Sequence, residues 1–329
     1  MTKSLSEILK RILQRQKKHY IILNTNPLNN STKAHLALLI SQIIYAITFV
    51  IAKILTQYTI GPYALVMLRV LGVIPLLWLT DLLFIREKTD RKDIPMMMLL
   101  AVFGVTINQS LFIKGLSLTS PISASIMMIT TPILVIIVAG FLIKEKITWL
   151  RLTGIIIGFA GAAMLMISSG IHSGSRADNP IGDLFIFINA LSWGTYLVLV
   201  KPVMKKYHTV TILRWIFTFS AIVIVPIGFR QFQEVQWSSL SSQSIFYLFF
   251  IVFFTTYIAY LLNVYALNAL SPAVVSAYIY LQPLLTAVIA IGSGNDSLNW
   301  MKVFSALLIF AGVYLVSMRS KVKLEQTVE

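Results

Sequence analysis

The sequence predicts an all-α polytopic membrane protein, with ten transmembrane helices arranged as two inverted five-helix repeats. Three observations predict it. The first is composition: of 329 residues, 57% are hydrophobic and only 12% charged, with a mean hydropathy of +0.82. Soluble domains carry roughly 25% charged residues, so the solvent for this chain is lipid. The second is that the apolar residues gather in stretches of about 20, the length that crosses a bilayer. The third is internal similarity. A shift of 151 (272 − 121) brings Leu116, Ser120, Pro121, Ser125, Pro132 and Trp149 onto Leu267, Ser271, Pro272, Ser276, Pro283 and Trp300. The same shift carries Phe159-Ala160-Gly161 onto Phe310-Ala311-Gly312, with Glu145 on Asp296 and Arg151 on Lys302. Shifts of 148 and 145 align Tyr45 and Lys53 with Trp193 and Lys201, then Leu68-Arg69 with Leu213-Arg214. Paired halves in an apolar chain predict a binding site at their seam.

The ten stretches lie near 35–57, 62–85, 94–113, 121–143, 149–168, 182–201, 209–229, 243–265, 272–292 and 299–318. Lipid obliges each to satisfy its own backbone hydrogen bonds, so each reads as a helix. The first carries Gln42, Tyr45 and Thr48 at mid-depth and Lys53 near its end. The second carries Arg69 and Pro75, and the third Thr106, Asn108, Gln109 and Ser110. Pro132 interrupts the fourth, while Gly154, Gly158 and Gly161 give the fifth a small-residue face. Asn189, Trp193 and Tyr196 share one face of the sixth at i, i+4 and i+7, with Ser192 beside them and Lys201 at the end. The seventh holds Arg214 and Pro226. The eighth holds Thr255, Thr256, Tyr257, Tyr260 and Asn263, and the ninth Tyr278, Tyr280, Gln282 and Pro283. Gly312 is the small residue of the tenth.

Charge sets the orientation. With the N-terminus inside, the inner segments hold clusters such as Lys10, Arg11, Arg15, Lys17 and Lys18, then Arg86, Lys88, Arg91 and Lys92. Lys144, Lys146, Arg151, Lys201, Lys205, Lys206, Arg319, Lys321 and Lys323 follow, against Lys114, Arg176 and Arg230 outside. Positive residues favour the inner side, so both termini are expected in the cytoplasm. Five helices is an odd number, so the second repeat enters from the opposite face. The expected units are a basic tail at 1–33, a first repeat at 34–168, an outer linker at 169–181, a second repeat at 182–318 and a tail at 319–329. Leu5, Ile8, Leu9, Ile12 and Leu13 recur at helical spacing beside basic residues, which predicts an amphipathic helix on anionic lipid. A disordered tail is the alternative. The segment lacks the uninterrupted apolar run of a signal peptide.

The phrases Lys114-Gly115-Leu116-Ser117-Leu118-Thr119-Ser120-Pro121, Thr131-Pro132, Lys144-Glu145-Lys146, and Gly154 with Gly161 resemble the first half of an EamA-type protein of the drug/metabolite transporter superfamily. Gly182-Asp183, Tyr265-Ala266-Leu267, Ser271-Pro272, Tyr280-Leu281-Gln282-Pro283 and Gly312 resemble the second. The resemblance covers about 35–318 and implies ten helices, two inverted repeats and passage of small metabolites by alternating access. One departure is Asp296, within Ser293-Gly294-Asn295-Asp296, where the family usually has Glu.

Amides, phenols and cations at depth are costly in lipid without partners. The expected substrate cavity is therefore lined by Gln42, Tyr45, Arg69, Asn108, Gln109, Asn189, Trp193, Tyr196, Tyr257, Tyr260, Asn263, Tyr278 and Gln282. Lys53 with Arg69, and Lys201 with Arg214, form repeat-related basic pairs expected to line the two vestibules, with snorkelling of the lysines as the alternative. Pro132 and Pro283 are expected kinks. The glycines suit helix packing, with a homodimer face left open.

No acidic residue falls at mid-membrane, and His19, His35, His172 and His208 sit at helix ends or in loops. Proton coupling thus lacks a titratable carrier, and uniport is the simpler expectation. The chain has no cysteine and shows no HExxH, GxSxG or P-loop, so neither enzyme, metal site nor cofactor is expected. The basic charge belongs to lipid rather than nucleic acid. The expectation is a multi-pass transporter of the bacterial inner membrane that exports amino acids or related metabolites. Phosphorylated or nucleotide-linked sugars are the rival cargo, and a channel-like or lipid-modifying protein the rival class.

Overall fold

Leucine, isoleucine, valine and phenylalanine fill the apolar stretches, and in the computed structural model these stretches are helices. The structure describes residues 27–119, 124, 127–142, 148–168, 179–292 and 300–318. The N-terminal amphipathic segment, most of the 169–181 linker, the loops with Glu145 and Asp296, and the 319–329 tail lie outside the described residues. No strand occurs among those described.

Among the described residues six helical spans are long and apolar enough to cross a membrane. They are α1 (Pro27–Tyr58), α2 (Pro62–Ile85), α3 (Arg91–Leu118), α6 (Pro180–Val203), α7 (Thr209–Gln233) and α8 (Ser242–Ala269). Shorter apolar helices are α4 (Thr131–Leu142), α5 (Trp149–Ser168) and α10 (Trp300–Ser317). In α9, the helix Pro272–Ala277 passes through a 3-10 turn, Tyr278–Tyr280, into Leu281–Gly292. Phe84, Phe141 and Trp300 expose 77%, 82% and 87% of their surface on the outside of the bundle. Such exposure is stable only against lipid.

Start signals are local and readable. Pro62, Pro180 and Pro272 open α2, α6 and α9, where a missing N–H is harmless. Asn179 and Ser271 cap α6 and α9 with side-chain oxygens. Pro132 and Pro283 also stand in a first turn, after the turn at Ile129-Thr130 and the 3-10 turn respectively. They follow repeat-related interruptions rather than bending an intact helix, because that position costs no hydrogen bond. Pro75 and Pro226 do lie inside α2 and α7. Among the described residues three π-helical stretches, Asp81–Ile85 at the end of α2, Val102–Ile107 within α3 and Ile251–Ile258 within α8, were not anticipated. Single π turns leave no periodic mark in a uniformly apolar sequence.

The helices pair as α2 with α7, α5 with α10, α3 with α6, and α8 with α1, while α4 packs on α6 and α9 on α1. The α5–α10 seam is the tightest. A methyl group at Gly312 would lie 2.5 Å from the Gly158 nitrogen and 2.6 Å from the Gly154 oxygen. The small residues are thus consumed by contact within the chain.

Candidate functional site

The helical pairs enclose a central cavity of about 670 Å³, its open mouth included. Thirteen residues were expected on its wall, and the structure brings ten of them together. Gln42 and Tyr45 come from α1, Arg69 from α2, Asn108 and Gln109 from α3, and Asn189 and Trp193 from α6. Tyr260 and Asn263 come from α8, and Gln282 from α9. The remaining three lie elsewhere. Tyr196 is buried behind the wall, its ring against the Cα of Gly104 and 5.2 Å from that of Trp193. The Tyr257 hydroxyl is paired with Thr80 Oγ1 at 2.6 Å, and the Tyr278 hydroxyl with His35 Nδ1 at 2.7 Å. Helical spacing identifies a face, yet it does not say which neighbour that face meets.

Thr48, Phe49, Phe112, Met128, Thr255, Val275 and Ile279 complete the lining. The two threonines belong to the mid-depth polar set, and their hydroxyls meet at 2.7 Å. The apolar members carry no signal that separates them from lipid-facing residues.

The wall is held by a hydrogen-bond network that crosses the halves. Gln282 Nε2 donates to Gln42 Oε1 at 2.8 Å. Asn263 Nδ2 donates to Ala259 O at 2.8 Å and to the Tyr45 hydroxyl at 3.3 Å. Asn189 Nδ2 donates to Asn108 O at 2.7 Å, and Ser192 Oγ to Phe103 O at 2.6 Å. The acceptors of these last two bonds lie in and beside the π-helical stretch of α3, where the widened turn leaves carbonyls for side chains.

Arg69 is the one charged residue among those lining the cavity, and it is 4% exposed. Its Nε donates to Thr256 Oγ1 at 3.0 Å. Thr256 is itself fixed by donation to Ile251 O at 2.7 Å, a bond across the π-helical turn of α8. No carboxylate pairs with Arg69 among the described residues. The planar N–H donors of a guanidinium match the geometry of a carboxylate.

The other basic residues are placed differently. Lys53 Nζ donates to Leu116 O and Thr119 O, each at 3.0 Å. Lys201 Nζ donates to Leu267 O and, at 2.7 Å, to Leu270 O. Each lysine closes the C-terminus of a helix of its own half, α3 for Lys53 and α8 for Lys201, where carbonyls lack partners and the dipole favours a cation. Neither lines the cavity. Arg214 is buried in an ion pair with Asp81, and its second amino group donates to Glu87 O at 2.7 Å. The guanidinium carbon lies 4.7 Å from the centre of the Trp78 ring and 5.8 Å from that of Trp215.

Around this pair the α2–α3 connection is tied to the α6–α7 connection. Lys206 and Tyr207 both donate to Asp93, and His208 N donates to Glu87 Oε2 at 2.8 Å. Trp215 Nε1 donates to Thr89 Oγ1 at 2.8 Å. The Asp93 carboxylate, then the Tyr207 hydroxyl, hold the exposed Lys206 ammonium above its usual pKa. Sequence reasoning missed this cluster because Asp81, near the end of the 62–85 stretch, gives no sign of the residue 133 positions away that it meets.

Two stretches of the chain match the EamA-like transporter family, residues 32–167 and 180–318. An uncharacterized transporter of Archaeoglobus fulgidus is 26% identical over 296 residues, covering 87% of this chain and 98% of its own. Protein WALLS ARE THIN 1 of Arabidopsis thaliana is 26% identical over 320 residues, covering 86% and 82%. The uncharacterized transporter YyaM of Bacillus subtilis is 25% identical over 241 residues, covering 71% and 76%. A solved crystal structure superposes with a TM-score of 0.66 at 14% identity, over 88% of this chain and 98% of the other, which speaks to the fold. The matches in both halves, with membrane-spanning helices around a polar cavity, make this chain a multi-pass membrane transporter of the EamA-like family, within the drug/metabolite transporter superfamily.

Proposed function

We propose that this protein moves amino acids or closely related small metabolites across the plasma (inner) membrane by alternating access, with the substrate carboxylate on Arg69. The observation that carries this reading is the buried guanidinium facing a polar cavity without a protein carboxylate. Burying a cation costs several kcal/mol, and an anionic ligand offsets that cost. Net export is the direction proposed.

The ten-helix, inverted-repeat architecture is part of the same reading. Exchanging α1–α5 with α6–α10 turns the α3–α6 pair into α8–α1 and the α4–α6 pair into α9–α1, and leaves α2–α7 and α5–α10 unchanged. Lys53 and Lys201 cap helices at positions 151 residues apart (267 − 116 and 270 − 119). The π-helical stretches within α3 and α8 recur at a similar offset. These correspondences support two halves that exchange shapes around a fixed site. The basic residues of the α2–α3 and α6–α7 connections support a cytoplasmic position for that end, and for both termini.

Cavity walls without carboxylate or histidine among the described residues support uniport. The test is counterflow in proteoliposomes, using labelled amino acids with and without a proton gradient. Accumulation against internal substrate, insensitive to the gradient, is expected. Folded protein that carries phosphorylated sugars but no amino acid would move the assignment to the rival cargo.

A further inference from the structure

The hydrogen-bond network around the cavity fixes the orientation of two amides that are otherwise ambiguous. The single proton of the Tyr260 hydroxyl faces two acceptors, Gly104 O at 3.2 Å and Asn108 Oδ1 at 3.3 Å, and is shared between them. Having spent its proton, that hydroxyl accepts from Gln109 Nε2 at 3.1 Å. Gln109 Oε1 is therefore turned away from Tyr260. Asn108 O likewise can only accept, so the bond from Asn189 at 2.7 Å identifies its amino group and leaves Oδ1 on the other side. Both oxygens are buried and accept no hydrogen bond among the described residues. Both side chains line the cavity that holds Arg69, and they are 1% and 2% exposed.

A buried acceptor without a donor is costly, and such groups in native folds call for an explanation. Donor and acceptor chemistry here is divided. Arg69 offers only N–H donors, whereas Gln109 Oε1 and Asn189 Oδ1 offer only lone pairs. A ligand that satisfies both carries an acceptor anion at one end and N–H donors at the other. We infer that Gln109 and Asn189 are specificity-determining residues that select a substrate ammonium, so that the site takes zwitterions with free N–H groups and discriminates against plain carboxylates. This inference rests on the proposed carboxylate contact of Arg69. It adds a requirement that a carboxylate transporter alone does not have.

The discriminating experiment uses the unmodified protein and three labelled ligands in counterflow: an amino acid, its des-amino carboxylate, and its N-trimethyl derivative. The trimethyl compound keeps the positive charge and has no N–H. The amino acid is expected to exceed both analogues by about tenfold or more in apparent affinity, the consequence of leaving buried acceptors unpaired. Gln109→Met and Asn189→Leu should each shrink that ratio mainly through KM. Equal use of all three ligands overturns the inference while leaving the Arg69 reading intact. A trimethyl derivative as good as the amino acid also overturns it, since charge alone would then suffice. Variants that fold and keep the wild-type ratio remove these two residues from the role. Failure of every carboxylate, with transport of some other class, removes the parent reading and this one with it.

Discussion

Replacing Arg69 by methionine is expected to lower amino-acid counterflow by about 100-fold, through the loss of two charge-assisted hydrogen bonds to the substrate carboxylate. The variant should fold. Arg69 has no carboxylate partner among the described residues, so its removal leaves no buried anion behind, and Thr256 keeps its bond to Ile251 O. Thermal stability in detergent should be unchanged or raised, because the desolvated charge is gone. Arg69→Lys keeps the charge and loses the planar fork, so an intermediate loss of about tenfold is expected. Kinetics and melting temperature measured on the same preparations decide the matter. Wild-type transport by a folded Arg69→Met protein would show that the guanidinium is structural.

The opposite pattern is expected at its repeat counterpart. Arg214 and Asp81 expose 7% and 6% of their side chains, so their pairing is little screened by solvent. Among the described residues, Arg214→Met leaves the buried Asp81 carboxylate with only a long bond from Thr211, and Asp81→Leu leaves the buried Arg214 cation with only the Glu87 carbonyl beside Trp78 and Trp215. Breaking a buried pair from one side costs about 3–5 kcal/mol. Each single variant should therefore melt well below wild type. The double variant Arg214→Met with Asp81→Leu removes both charges and should recover most of the loss, which a double-mutant cycle reads as a coupling energy. Additive single effects would mean that the pair contributes nothing specific. The two arginines, equivalent in the sequence alignment of the halves, thus have separable expected roles: Arg69 binds, and Arg214 fastens α2 to α7.

How much of this was legible in the sequence depends on the interaction concerned. Helix content follows from hydropathy, because lipid leaves the backbone no other choice. Caps such as Asn179 and Ser271 and first-turn prolines such as Pro62 and Pro272 are local features that set where the helices begin. Most of the polar wall was legible because an amide or phenol at mid-depth needs a partner, and the partners are other members of the same set. Tyr257 and Tyr278 satisfy the same need outside the cavity, and the buried Tyr196 hydroxyl has no hydrogen-bond partner among the described residues. Residue type alone does not separate those fates. The uses of Lys53 and Lys201 as caps on distant helix ends depend on contacts 63 and 66 residues away in the chain. The π-helical turns, which free carbonyls for Asn189 and Ser192, depend on packing and leave no compositional trace.

The central claim is that transported substrate occupies the cavity beside Arg69, and the absence of native cysteines permits a direct measurement. Met128 lines the cavity and is 8% exposed, so Met128→Cys gives a single reporter thiol. Labelling of that thiol by a small maleimide should be slowed several-fold by saturating amino acid, and the protection should vanish when Arg69→Met is added. Protection that persists without Arg69, or a transported amino acid that leaves the labelling rate of Met128→Cys unchanged, would contradict the account.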